Sequence, residues 1–145
     1  MPAEKSNTPG YLNSILAMKC PRCRKGNMFN DQKTYRRISL SHIFNMPERC
    51  SECGQRFEME PGFWYGTGYV SYALAVAISV STFVAWVVLI GISTSDNRVF
   101  YWLILNAVVL IGLQPYLMRL SRVIYIRFFV NYDKDFREHE PRRFE

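Results

Sequence analysis

All four cysteines of the chain fall into two Cys-x-x-Cys pairs, Cys20-Pro21-Arg22-Cys23 and Cys50-Ser51-Glu52-Cys53. Two residues between thiols let one tight turn aim both sulfurs at a single ion, and two such turns complete a tetrahedron of thiolates around Zn²⁺. Pro21 presets the first turn, and Gly54, directly after Cys53, permits the positive φ that such turns commonly require. The 26 residues between Cys23 and Cys50 exceed the gap of the tightest zinc ribbons but suit a ribbon with an insert. A zinc tetrathiolate carries a formal double negative charge, which Arg22, Arg24, Lys25 and Arg49 stand near enough in sequence to offset.

Other chemistries compete for the same thiols. Iron fits the same four-sulfur cage, since ligand softness does not separate it from zinc. Thiol exchange needs one exposed Cys-x-x-Cys pair of low pKa at a helix start, usually within a βαβ pattern that is not apparent here. Covalent haem attachment needs a His after the second Cys, and Arg24 and Gly54 occupy those places. Zinc in a closed structural site is the favoured reading.

The elements that must position these turns are of two kinds. No Asp, Glu, Lys or Arg occurs from Tyr69 to Ile92 or from Val99 to Met118, and each stretch is long enough to cross ~30 Å of hydrocarbon. Only residues 93–98 separate them, so they form an antiparallel transmembrane hairpin. Lys and Arg outnumber acids 10 to 6 before Tyr69 and 7 to 5 after Met118. The positive-inside rule then places both termini in the cytosol and the loop outside. The cysteines accordingly face a reducing compartment, which disfavours disulfides. The polar start of the chain does not match a secretory leader. The net charge of +6 is accounted for by this topology, and acids interspersed among the basic residues disfavour a nucleic-acid partner.

Residues 1–18 read as a polar lead followed by a short helix, and 19–60 as the four-cysteine zinc-ribbon-like module, with a strand predicted over Thr34–Leu40 and a helical turn over Ser41–Asn45. Residues 61–68 form an aromatic linker in which Phe63, Trp64 and Tyr65, with Tyr69 beyond it, are expected at the membrane interface. Spans follow at 69–92 and 99–118. A basic extension and tail over 119–145 puts Arg119 and Arg122 at the interface, either on a continuous helix whose arginines snorkel or, the preferred reading, on a helix that Pro115 kinks so that it lies along the membrane. The end of the tail reads as solvated.

In the first span Ala73, Ala77, Ser81 and Ala85 recur every four residues, a small-residue face suited to close helix packing. Its partner is the second span of this chain or, on the sharper reading, another membrane protein or a second copy. Asn106 and Gln114 lie inside the second span, where polar side chains seek hydrogen-bond partners and act as glue between helices. Among the other candidates, the lone His42 and the glycines Gly62, Gly66 and Gly68 read as packing or hinge residues. No catalytic constellation is apparent, and the case for an enzyme is thin.

The order of these motifs resembles a bacterial membrane family catalogued as domain of unknown function 983. The likeness rests on Cys20-Pro21-Arg22-Cys23-Arg24-Lys25-Gly26-Asn27-Met28-Phe29, on Cys50-Ser51-Glu52-Cys53-Gly54 with Phe57-Glu58, on Glu60-Pro61-Gly62-Phe63-Trp64-Tyr65-Gly66, and on Ser121-Arg122. Some members are encoded beside cytochrome oxidase subunits and their assembly factors, which implies a role in building a respiratory complex. The combined expectation is a protein of the bacterial inner membrane, with a small cytosolic zinc-ribbon-like module followed by a two-helix hairpin. It acts as a non-catalytic adaptor or assembly factor. Its rivals are a thiol-redox or other membrane enzyme using one Cys pair and a membrane-tethered nucleic-acid binder.

Overall fold

The computed structural model describes residues 8–36, 39–58, 61–93 and 95–143. Most of the predicted lead therefore lies outside the described residues, as do two positions of the predicted strand. Four α-helices follow in order: α1 (Tyr11–Leu16), α2 (Leu40–Ile43), α3 (Thr67–Leu89) and α4 (Arg98–Arg127), with a 3-10 turn over Phe63–Gly66 leading into α3. Both α3 and α4 are long and apolar enough to cross a membrane.

The zinc-ribbon-like architecture does not form. Among the described residues there is no β-strand, only two isolated antiparallel bridges, Lys19 with Asn27 and Arg49 with Arg56. A ribbon needs hairpins at its cysteine turns, whereas here each loop closes on one residue pair. The apolar residues beside the loops, Met18, Met28, Phe29 and Phe57, turn instead onto Val123 and Ile126 near the end of α4 and Val130 just beyond it. The predicted strand over Thr34–Leu40 is a turn at Thr34 and Tyr35. Tyr35 is diverted to α4, where its hydroxyl donates to the Gly112 carbonyl at 3.0 Å. The chain is thus a mostly helical domain whose core is shared between the cysteine loops and one long helix.

α4 is continuous through Pro115, which lies inside it, in place of the predicted kinked interfacial segment. Its 30 residues span about 45 Å at 1.5 Å per residue, more than hydrocarbon requires, so the surplus turns are free to enter the module core. Pro115 withholds the amide that the Ile111 carbonyl would accept from, and Tyr35 supplies its donor to the neighbouring carbonyl.

α3 and α4 pack as an antiparallel pair. Asn106 bridges them, accepting from the Thr82 hydroxyl at 3.2 Å and donating to Ser79 Oγ at 3.2 Å. Phe83 and Trp102 meet edge to face, 4.9 Å between centroids. Ala73, Ala77, Ser81 and Ala85 face outward and are exposed, so α4 does not cover that stripe; the half-buried small residues are Ser71, Ala75 and Ser79. Gln114 is also exposed. Between the helices Gly91 takes a φ of 79°, and Arg98 donates to the Ile90 carbonyl at 3.0 Å, covering an otherwise open C-terminus of α3.

Candidate metal centre

The two cysteine loops are near copies of each other in backbone hydrogen bonding. The Arg24 amide donates to the Cys20 carbonyl at 2.9 Å and the Gly54 amide to the Cys50 carbonyl at 3.0 Å. The Cys20 amide reaches the Gly26 carbonyl at 2.8 Å, and the Cys50 amide the Gln55 carbonyl at 2.9 Å. Arg24 and Gly54, each directly after its second cysteine, have φ values of 56° and 70°. Both loops thus need one left-handed residue; only the second spends a glycine on it. The first loop is one residue longer, and the extra length brings Gly26 against Cys50. A Cβ on Gly26 would overlap the Cys50 sulfur, so this glycine is required by space.

The four sulfurs converge. All lie within 4.8 Å of one another, with Cys20 and Cys53 Sγ 3.7 Å apart and Cys23 and Cys50 Sγ 3.8 Å apart. A tetrahedron with metal–sulfur bonds of about 2.3 Å has edges of about 3.8 Å, so the donor set fits a tetrahedral ion. Cys20, Cys23 and Cys50 are buried and Cys53 half-buried. The Gly26 amide donates to Cys23 Sγ at 3.5 Å. Hydrogen bonding to Cys23 and to the other two sulfurs, then burial, holds the Cys20 thiol well above its usual range. Cys23, on the accepting side of the same bonds, is pulled well down. Cys50 is lowered to about 7, chiefly by its bond with Cys20.

No family model, curated protein or solved structure matches this chain. The centre is therefore described by its own surroundings, and these show a division of labour among the arginines. Arg22 is 4% exposed. It donates to the Cys53 carbonyl at 3.5 Å, to the tail carbonyls of His139 at 2.7 Å and Glu140 at 3.0 Å, and pairs with Asp133 at 3.4 Å. Arg24 lies over the Tyr132 ring at 4.0 Å. Lys25 and Arg49, also expected near the sulfurs, are exposed. Arg127 was not legible as a neighbour: it donates to the Lys19 carbonyl at 3.3 Å and to Ser14 Oγ at 3.1 Å. It stands 107 positions from Cys20, and no local pattern could have found it.

The tail, expected to be solvated, is tied to the second loop. Gln55 is fully buried; its side chain donates to the Arg142 carbonyl at 3.1 Å and accepts from the Arg142 amide at 3.0 Å.

The residues expected at the membrane interface divide likewise. Tyr65 and Tyr69 are 87% and 81% exposed. Phe63 and Trp64 pack against the shared core: Phe63 meets Tyr125 and Phe129 at 5.1 and 5.2 Å, and Trp64 lies under Arg122 at 4.8 Å. Arg122 also covers the Phe44 ring at 4.1 Å. Arg119 is fully buried and points into the module, donating to the carbonyls of Asp31 at 2.7 Å, Ile43 at 3.1 Å and His42 at 3.2 Å. One planar guanidinium thus holds together two parts of the insert, a task a point-charge ammonium performs poorly.

Proposed function

We propose that this chain is a two-pass membrane protein carrying a closed, zinc-filled four-cysteine module on the cytosolic end of its hairpin, and that it serves a membrane complex as a non-catalytic adaptor or assembly factor. The observation that carries this reading is the continuity of α4, which runs from an apolar stretch into the core that buries the sulfurs. Such a module is rigid with respect to the hairpin and suited to present a fixed surface beside the bilayer. Four sulfur ligands leave no open position at a tetrahedral ion, the mark of structural rather than catalytic zinc. Burial of three sulfurs opposes thiol exchange, which needs access for a partner thiol. The motif order shared with the family of unknown function supports the same reading, and the complex that resemblance suggests is a respiratory one.

Metal analysis combined with thiol titration of the purified full chain tests the centre. One zinc per chain and no reactive thiol before denaturation are expected; a metal-free, readily oxidised Cys pair would overturn it, and a coloured iron tetrathiolate would correct the metal. Crosslinking in intact membranes tests the adaptor role. Capture of only lipid and copies of this chain would remove it.

A further inference from the structure

A cleft of about 200 Å³ opens between the end of α1, the first cysteine loop, the insert and α4. Its polar lining is Lys19, Asn27, Gln32, Thr34 and Tyr116, and among the described residues that line it Lys19 alone is charged. The Lys19 ammonium donates to Asn27 Oδ1, which leaves two of its three protons for a ligand. The volume is below the ~300–1,000 Å³ of pockets for drug-sized molecules, which suits a small polar group.

The depth of this cleft follows from the helices. Tyr69 and Tyr116 are each ten residues from the Ser79–Asn106 hydrogen bond on the module side, about 15 Å at 1.5 Å per residue. They therefore stand at one level. From Arg98, where α4 begins, to Tyr116 is about 27 Å, close to the ~30 Å of a hydrocarbon core. The level of Tyr116 is thus the boundary where headgroups begin.

Two contacts pin the module to that boundary: Tyr116 donates to the Leu16 carbonyl at 3.5 Å, and Tyr35 to the Gly112 carbonyl at 3.0 Å. Beside the cleft, Leu12 and Leu16 are 71% and 59% exposed. The side chains of α1 that a soluble module would bury face outward instead, and Leu16 lines the cleft together with Tyr116 of α4.

We infer that the cleft holds the phosphodiester headgroup of a membrane phospholipid, with Lys19 as its countercharge, Asn27, Gln32 and Thr34 as hydrogen-bond partners, and Leu12 and Leu16 against the acyl chains. The inference rests on the two-pass reading above. A cation presented beside neutral donors at the foot of an apolar surface matches the chemistry of a headgroup, and the exposed leucines distinguish a lipid from free phosphate.

The test uses the full chain purified in mild detergent and titrated with short-chain phosphatidylglycerol, followed by native mass spectrometry. One bound lipid is expected. Lys19→Glu should weaken binding about tenfold or more, the worth of a charge-assisted hydrogen bond, and Lys19→Arg should retain it. Gln32→Glu, on an exposed loop position away from the core, should weaken binding too, with zinc content unchanged as the control for folding. Equal lipid binding by wild type and both acidic variants would overturn the assignment, as would inorganic phosphate binding as tightly as the lipid. Carbonate extraction separates the two readings: release of the wild-type chain from membranes removes both, whereas an embedded chain with no lipid preference removes the cleft alone.

Discussion

Gly26 and Gly54 occupy related places in the two cysteine loops, yet they constrain the centre by different physics. Gly54 has φ +70° with ordinary space around it, whereas Gly26 has no room for a methyl group beside Cys50. Gly54→Ala is expected to cost about 1–2 kcal/mol, the penalty of a left-handed conformation. Gly26→Ala must displace a ligand sulfur. It should lower the zinc-to-protein ratio measured on the purified chain, while Gly54→Ala leaves that ratio intact. Arg119 gives a second contrast at this scale. Arg119→Lys keeps the charge but loses the fork that serves three carbonyls, and orphaned buried carbonyls cost about 1–3 kcal/mol each. Limited proteolysis should then cut the insert around residues 31–43 faster than in the wild type. The four-cysteine cluster was legible in the sequence because Cys-x-x-Cys is a local pattern. Arg119 and Arg127 were not, because a charge after an apolar run reads as interfacial until the surface that covers it is known.

At the scale of elements, composition alone revealed the two long helices, since an apolar stretch without charges has few other uses. It did not show which face of α3 meets α4. The four-residue repeat of Ala73, Ala77, Ser81 and Ala85 points outward, and the seam is built around Ser79, Thr82 and Asn106. Asn106→Leu should therefore loosen the pair by ~0.6 kcal/mol or somewhat more, the usual worth of such bonds in a bilayer, read as a lower denaturant midpoint for separation of donor and acceptor dyes on α3 and α4. Gln114→Leu, at an exposed site, should leave that midpoint unchanged or raise it. The ribbon prediction failed for an identifiable reason: apolar residues beside the cysteines have a helix to pack on, and a segment that can bury itself against α4 gains nothing by pairing as a ribbon.

For the whole molecule, the cysteine cluster, tail and hairpin form one system. Zinc binding of this type contributes on the order of 10 kcal/mol to folding, and without metal the hydrogen bonds among the sulfurs raise the pKa of Cys20 and lower that of Cys23. Metal uptake near neutral pH must expel the protons still held. Zinc affinity should therefore rise with pH through the thiol range and fall on acidification, with proton release measured in weakly buffered solution by an indicator dye; an affinity independent of pH would contradict the site. Removing residues 133–145 deprives Arg22 of its tail carbonyl and carboxylate partners and Gln55 of both its bonds to Arg142. Zinc transfer to a chelator should accelerate, with no change in membrane retention. The tail read as solvated because charge dominates its sequence, and its attachment runs mainly through backbone carbonyls that no side-chain pattern announces.

The placement of Val123 and Ile126 in the last turns of α4, and of Arg142 beyond it, has a consequence for synthesis. All four thiols leave the ribosome before either long helix does, and the groups that pack around them come only with the last turns of α4 and the tail. The cysteines are made early and their cover arrives last, so the cluster is enclosed only when the end of α4 and the tail have been added. A chain cut off before the last turns of α4 would display an uncovered cysteine cluster.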